Sequence, residues 1–111
     1  MPAAKFDIII DQGSDFQINI AIEEDGSPMS LGNHTARASM RARMESTTDH
    51  DFTTSINGST VTIQMSHTTT AAITAGSYVY DVEIFTGSAG SETSVTRILQ
   101  GKATVTPEVT R

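Results

Sequence analysis

The chain has 111 residues, a formal net charge of −6 and no cysteine. This length suits one domain, and we expect residues 1–111 to fold as a single unit. The lack of cysteine excludes disulfide bonds, thiolate–metal sites and thiol nucleophiles. The acidic balance argues against nucleic acid or a membrane surface as partner, because proteins that bind these are usually basic.

Threonine and serine are unusually frequent, with 17 Thr and 12 Ser. Threonine is β-branched and suits the half-exposed surface of a sheet. Hydrophobic residues make up 37% of the chain and fall in alternating runs, which predicts an ordered all-β protein. No apolar run approaches the roughly 18–20 residues of a membrane span. The first residues lack a signal-peptide core, so we expect a soluble protein made in the cytoplasm.

The first two predicted strands lie on either side of a turn signal at residues 12–14. Lys5–Asp11 places Phe6, Ile8 and Ile10 on one face. Asp15–Glu23 shows the most regular alternation in the chain, and its isoleucines are predicted to face inward. An Asp-Gly turn follows at residues 24–28.

The segment Thr35–Met44 allows two interpretations. Alanine, arginine and methionine favour helices. However, small or apolar residues alternate strictly with polar ones, which predicts a strand. The outer face of that strand then carries Arg37, Arg41 and Arg43.

The second half of the chain continues as short strands separated by turns. One helical turn is predicted within Ser66–Ile73, where Ser66 can cap it and Ala71, Ala72 and Ile73 can close it onto the core. The other predicted elements are a polar turn at 45–51, strands at 52–56, 60–65 and 77–85, a loop at 86–91, and a last strand at 93–106 with a bulge or kink at Gly101. The predicted core consists of Ile18, Ile20, Val61, Ile63, Tyr80, Val82 and Ile84.

The residues after the helical turn resemble a corner of immunoglobulin-like domains. In those domains a tyrosine hydroxyl at the start of strand F returns to the backbone upstream. Tyr78 in Ala75-Gly76-Ser77-Tyr78 is the matching residue; the alternative is that Tyr78 is an ordinary core aromatic. The expected fold is therefore an all-β, immunoglobulin-like β-sandwich with one short helical turn.

The order and spacing of several segments narrow the resemblance further. These segments are Gln12–Phe16, Glu24–Leu31, Thr35–Arg41, Ala75–Glu83, Thr96–Val105 and Glu108–Arg111. Together they make nearly the whole chain similar to the immunoglobulin-like N-terminal domains of upper baseplate and fibre-adaptor proteins of tailed bacteriophages. Many such proteins continue into a fibre or receptor-binding region, whereas this chain ends at Arg111, so we expect a small stand-alone component.

The resemblance implies a non-enzymatic structural component of the virion, made in the host cytoplasm. It would dock in multiple copies on other phage virion proteins of the tail, baseplate or fibre-attachment region. Decoration of the capsid (head) is the alternative. A carbohydrate- or cell-surface-binding module is a further alternative, but tryptophan is absent and only Phe52 and Phe85 are not assigned to the core.

No motif predicts catalysis, a cofactor or a metal site. His34, His50 and His67 lack metal-ligand spacing, and no nucleophile elbow or phosphate-binding loop is present. Calcium could bind if the acidic residues near positions 11–15 and 23–25 met at one end of the fold. We expect no enzymatic activity and no cofactor.

The arginine row is the candidate partner-binding site. Arg37, Arg41 and Arg43 share one exposed face in an acidic protein, and a planar guanidinium pairs well with carboxylates of an acidic neighbouring protein. The alternative is a solvated face whose arginines pair with Asp or Glu from an adjacent strand. Docking could also use unpaired strand edges, for which Phe6–Ile10 and Val105–Val109 are the candidates.

Overall fold

Alternating sequence produces strands along most of the chain. The computed structural model describes residues 4–24, 26–42, 49–88 and 90–109. The strands are β1 (Ala4–Lys5), β2 (Ile8–Asp11), β3 (Phe16–Ala21), β4 (Glu23–Glu24), β5 (Ser27–Pro28), β6 (Thr35–Arg41), β7 (Asp49–Asp51), β8 (Thr53–Asn57), β9 (Thr60–Met65), β10 (Gly76–Ser88) and β11 (Ser91–Thr106). A short helix, α1 (His67–Ala71), connects β9 to β10. Within these ranges, no helix has the length and apolar character needed to cross a bilayer.

The larger sheet is built around the β10–β11 hairpin. Its strand order is β1-β11-β10-β6-β7, and β2 also joins it by pairing with β11. β10 is antiparallel to both β11 and β6, whereas β1 and β2 run parallel to β11. The beginning of the chain is therefore held beside its last strand.

The smaller sheet has the order β3-β9-β8 and is antiparallel throughout. Buried side chains from the two sheets form one core between them. The first strands thus join the sheet of the last two strands, while β3 pairs with β9 in the opposite sheet, as in immunoglobulin-like domains. The predicted all-β, immunoglobulin-like sandwich with one short helix is confirmed.

Most of the predicted core is correct, but one strand is not fully covered. Val61, Ile63, Tyr80, Val82 and Ile84 are each 4% exposed or less. The prediction was wrong for Ile18 and Ile20, which are half-buried at the border of the core. The reason is that β3 pairs with β9 on one side, and no strand of the described ranges covers its other edge.

The predicted first strand is interrupted at Phe6 and Asp7. Phe6 was expected to face inward, but it is 53% exposed. The chain bends here because the buried Tyr80 hydroxyl donates a hydrogen bond to the Phe6 carbonyl. A Cβ atom at Gly101 would collide with that carbonyl, so Gly101 permits a close approach of the two strands. The bulge in β11 lies instead at Ile98, where the register with β10 shifts.

Two predicted turns are strands. Asp49–Asp51 was expected in a polar turn but forms β7 and pairs with β6; residues 45–48 lie outside the described residues. The loop expected at 86–91 is the end of a hairpin, because β10 continues to Ser88 and β11 starts at Ser91. The small polar residues there are compatible with a strand, and a second register shift beside Gly87 accommodates its φ of 91°.

The helical turn and the tyrosine corner are both present. Ser66 caps α1, since its side chain accepts a hydrogen bond from the Thr69 amide at 3.3 Å. Ile73 packs into the core as predicted. The prediction was wrong for Ala71 and Ala72, which are exposed, because Thr70 is on the side of the helix that faces the core. The Tyr78 hydroxyl donates to the Thr74 carbonyl, four residues upstream, at 2.6 Å, which confirms the corner.

Candidate functional site

The arginine face is the outer surface of the larger sheet. In β6, Ala36, Ala38 and Met40 point into the core, and Arg37 and Arg41 point outward. This confirms the strand interpretation of the segment up to Arg41. Arg43, the third predicted site residue, lies outside the described residues.

Arg37 lies at the centre of a charged cluster on this face. Its Nε donates to Glu83 on β10 at 2.8 Å, and its Nη1 donates to Glu92 on β11 at 2.8 Å. The guanidinium also lies 4.7 Å from the centroid of the Phe85 ring, a cation–π geometry. One arginine therefore links three strands and covers an aromatic ring that would otherwise be exposed.

Two further ion pairs extend the cluster across the sheet. Arg41 pairs with Asp49 on β7 at 3.6 Å, and Arg97 on β11 pairs with Asp81 on β10 at 3.3 Å. The face was expected to be unusually basic, but its described part is a network of mixed charge. These pairs agree with the alternative interpretation of the arginine row, in which the arginines pair with Asp or Glu of an adjacent strand. Sequence reasoning did not name the carboxylates, although outward positions of the predicted strand Ser77–Phe85 place Asp81 and Glu83 on the same face.

The network changes the pKa of two of its carboxyl groups in opposite directions. Glu92 has a pKa lowered to about 2, because the backbone amides of Gly90 and Glu92 and the Arg37 side chain donate to its carboxylate. Burial and the adjacent Glu83 charge raise the pKa of Asp81, against the opposing effect of Arg97, Arg41 and Arg37. The ionised form of Glu92 is therefore favoured at the tip of the β10–β11 hairpin.

The three histidines lie in different surroundings. His50 packs its ring edge against Tyr78 with centroids 5.8 Å apart. His67 binds Asp15 through its ring Nδ1 at 2.9 Å and its backbone amide at 2.7 Å. His34 Nδ1 is buried and has no hydrogen-bond partner among the described residues. In the described part of the chain, no three metal-ligating side chains gather in one place.

The acidic residues near the β2–β3 turn bind other groups of the chain. Asp11 accepts a hydrogen bond from the Thr106 hydroxyl at 2.8 Å, and Asp15 binds His67 as described above. Hydrogen bonds to His67 lower the pKa of Asp15, so this carboxylate helps to anchor α1. Asp25 of the second acidic cluster lies outside the described residues.

The turn Gln12–Ser14 is held by a polar network at the same end. Gln12 donates to the Ile73 carbonyl at 2.8 Å and accepts from the Glu108 amide at 3.1 Å. The Thr70 hydroxyl accepts from the Gly13 amide at 3.0 Å and donates to the Ser14 carbonyl at 2.8 Å. The turn thus joins α1 and the C-terminal segment.

The aromatic side chains do not form a sugar-stacking surface. Phe52 and Phe85, which sequence reasoning left available for stacking, are 6% and 5% exposed. Phe6, which it assigned to the core, is the aromatic residue with an exposed ring. A single exposed ring at the β1–β2 junction gives no pair of stacking platforms.

One of the two predicted strand edges is an edge in the structure. β2 pairs with β11 on one side, and no other described strand pairs with it. In the predicted segment Val105–Val109, Val105 is not at an edge, because β11 lies between β10 and β2 at this point and Val105 is 1% exposed. Thr106 pairs with Asp11 of β2, and residues 107–109 belong to no strand, so the prediction was wrong at Val105, where β2 covers the strand.

Comparison with known proteins adds no family to these observations. No protein-family model matches the chain, and no curated protein matches it.

Proposed function

We propose that this protein is a non-enzymatic structural component of a tailed-phage virion. It docks in multiple copies on other virion proteins of the tail, baseplate or fibre-attachment region after synthesis in the host cytoplasm. The observation that supports this proposal most is the fold. The sequence resemblance implies an immunoglobulin-like sandwich, and the chain has that topology together with its tyrosine corner.

The segments that carry the resemblance are framework elements of this fold. Gln12–Phe16 contains the turn that joins α1 to the C-terminal segment. Thr35–Arg41 is β6, and Ala75–Glu83 contains the tyrosine corner and the first half of β10. The resemblance on which the proposal depends therefore concerns parts of the chain that build the sandwich.

The outer face of the larger sheet is the proposed docking surface. The side chains of Arg37 and Arg41 are 44% and 42% exposed. A guanidinium has five N–H donors, and Arg37 uses Nε and Nη1 in its pairs with Glu83 and Glu92. Its remaining donors can bind carboxylates of an acidic partner without breaking these pairs.

The proposal predicts that the protein copurifies with particles and that Arg41 contributes to its incorporation. Gradient-purified particles would be assayed for the wild type, Arg41→Glu and the charge swap Arg41→Glu/Asp49→Arg. If docking requires positive charge at position 41, both variants will show several-fold lower incorporation. Lys102 lies in the same cross-strand row of this face as Arg41, so Lys102→Glu, which makes the same charge change, should also lower incorporation.

The outcomes separate three accounts. Restoration by the charge swap would mean that Arg41 acts only through its pair with Asp49, and would reject the arginine contact. Recovery with isolated heads instead of tails would replace tail attachment by head decoration. Absence of the wild-type protein from purified particles would contradict the virion role itself.

A further inference from the structure

Asn57 and Gly58 lie at the turn of the β8–β9 hairpin. Asn57 is the last residue of β8 and is the register partner of Thr60, the first residue of β9, so Gly58 and Ser59 make a two-residue loop. Gly58 has a φ of 64°, the left-handed conformation that such loops require at their first position. Asn57 and Gly58 are both exposed. The hairpin thus places an exposed asparagine directly before a glycine.

Asparagine is thermolabile because its side chain can react with the backbone nitrogen of the next residue. That nitrogen attacks the side-chain carbonyl carbon Cγ, the bond from Cγ to the amide nitrogen breaks, and ammonia leaves with the proton of the backbone amide. The product is a succinimide ring. Water then opens the ring at Cγ to give aspartate, or at the main-chain carbonyl carbon to give isoaspartate. The reaction therefore needs a backbone nitrogen that is accessible and not held in a hydrogen bond.

The backbone nitrogen of Gly58 meets both conditions. Its amide donates no hydrogen bond to any of the described residues. The loop is held through its carbonyl groups instead: the Gly58 carbonyl accepts from the Leu31 amide at 3.3 Å, and the Ser59 carbonyl accepts from the Ile22 amide at 2.9 Å. Apart from its chain neighbours, no described atom lies within 4 Å of the position that a Cβ at Gly58 would occupy. The hairpin is therefore fixed without engaging the nitrogen that would attack.

The other two asparagines of the chain lack this combination. Asn33 also lies in an exposed turn, but the amide of the following His34 donates to the Leu31 carbonyl at 3.0 Å. Asn19 lies within β3, its side-chain oxygen accepts a hydrogen bond from a neighbouring strand, and the β-branched Ile20 follows it. A hydrogen bond at the first site and a bulky side chain at the second hinder the attack.

We propose that Asn57 is a site of spontaneous modification, which loses ammonia through attack by the Gly58 nitrogen and becomes aspartate or isoaspartate as the folded protein ages. Either product adds one negative charge at the end of β8, in a chain whose net charge is already −6. The inference goes beyond the proposed function and does not depend on it, because the reaction needs only water and the groups of the hairpin itself.

The two products differ in their effect on the fold. Aspartate leaves the main chain unchanged, whereas isoaspartate lengthens it by one methylene carbon at the end of β8. The carbonyl groups of Gly58 and Ser59 then move relative to the amides of Leu31 and Ile22, to which they are bonded in the unmodified chain. Leu31 is 1% exposed, so its displacement disturbs the core. We therefore expect the isoaspartate product to be less stable, with the loss centred on residues 22–31.

Peptide mapping by mass spectrometry, after incubation of the purified protein at pH 7 and pH 9, tests the proposal. Asn57 should lose its amide faster than Asn33 and Asn19 in the same sample. The loss should be several times faster at pH 9, because the attacking nitrogen must give up its proton. Asn57→Gln is the matched control: its side chain is longer by one methylene and closes the ring far less readily, so its amide should persist.

The same incubation in urea separates the effect of the turn from that of the local sequence. Because the hairpin leaves the Gly58 nitrogen available, the folded chain should lose the Asn57 amide at a rate comparable with that of the unfolded chain. Retention of this amide in the folded chain, with loss only in urea, would overturn the proposal. Loss at Asn33 in the folded chain as fast as at Asn57 would also overturn it.

Melting curves of the modified forms test the expected effect on the fold. Ion exchange separates these forms from the unmodified chain through their additional charge. The variant Asn57→Asp carries this charge on an unaltered main chain and should melt close to the wild type, whereas the isoaspartate form should melt several degrees lower. Equal melting of the isoaspartate form and Asn57→Asp would overturn the predicted effect. Particle content tests the virion role separately, so the two proposals can fail independently.

Discussion

The hydroxyl groups of two tyrosines in β10 form hydrogen bonds that stabilise two different parts of the fold. Tyr78 is half-buried and its hydroxyl holds the corner at Thr74. Tyr80 is 4% exposed and its hydroxyl reaches the Phe6 carbonyl, 74 residues away in sequence. Residues of the same type, two positions apart, thus stabilise a local crossover and the attachment of the N-terminal strand.

Burial of Tyr80 predicts a loss of stability in alkali. Burial, with a smaller contribution from the Asp7 charge, raises its pKa from 10.0 to about 12. The folded state therefore favours the neutral phenol, and this contribution is complete below pH 10 and lost as the pH rises through 12. Denaturant unfolding from pH 9 to 12 should show a steeper loss for the wild type than for Tyr80→Phe; equal slopes would contradict this role.

Thr70 is the buried polar residue on which the turn Gln12–Ser14 depends. Thr70→Val keeps the shape but leaves the Gly13 amide and the Ser14 carbonyl without their partner. We expect it to lower the free energy of unfolding by about 1–3 kcal/mol, the usual effect of unsatisfied buried groups. Thr70→Ser retains the hydroxyl and should cost less, as measured by urea unfolding. An unchanged free energy of unfolding for Thr70→Val would contradict the role of the hydroxyl in holding the turn.

Two isoleucines that are register partners in neighbouring strands differ in burial. Ile63 in β9 is fully buried, whereas its partner Ile18 in β3 is half-buried. Ile63→Ala should lower the free energy of unfolding by roughly 2–5 kcal/mol. Ile18→Ala should cost clearly less, because less apolar area leaves water when β3 folds. A larger loss for Ile18→Ala in chemical denaturation would show that the β3 edge is covered.

At the scale of the element, one cation of β6 contacts both strands of the β10–β11 hairpin near its tip. Arg37 of β6 binds Glu83 on one strand of the hairpin and Glu92 on the other. The Gly90 amide donates to the same Glu92 carboxylate at 3.0 Å. The tip is therefore held to the body of the sheet by a charged contact.

Acid should loosen this hairpin before the rest of the fold. The pKa of Glu92 falls from 4.5 to about 2, so its ionised form is favoured in the folded state. Its contribution is complete above pH 4.5 and is lost as the pH falls toward 2. The protection of amides in residues 86–95, expressed relative to exchange of an unfolded chain at the same pH, should fall in this range, and Glu92→Gln should show the lower protection already at pH 7. Protection that is the same with and without the Glu92 carboxylate would contradict its role in holding the hairpin tip.

The strands could be predicted where apolar and polar residues alternate along the sequence. In β6 and β9, strict period-2 patterns identify the strand and its buried side chains. β7 was missed because Asp49-His50-Asp51 has no apolar face and is a strand through its pairing with β6. The half-burial of β3 and the exposure of Phe6 depend on which strands lie next to them, and a single strand's pattern does not contain that information.

Some features of the candidate site could also be predicted from alternation, and others could not. The outward direction of Arg37 and Arg41 follows from alternation, and so does the neutral polarity of outward positions in β3, β8 and β9. The pairing of Arg37 with Glu92 does not, because these residues are 55 apart in sequence and meet through the bulged register of the hairpin.

For the whole molecule, the two sheets present surfaces of different chemistry. The outer face of the larger sheet exposes a charged network, whereas the outward positions of β3, β8 and β9 in the smaller sheet carry uncharged side chains.

Electron cryomicroscopy of purified particles tests the virion role most directly. The account predicts density for a sandwich of about 44 × 27 × 22 Å at several symmetry-related positions of the tail or baseplate. The outer face of the larger sheet should lie against a neighbouring protein. Particles whose symmetric density contains no such sandwich, and whose protein content lacks this chain, would contradict the account.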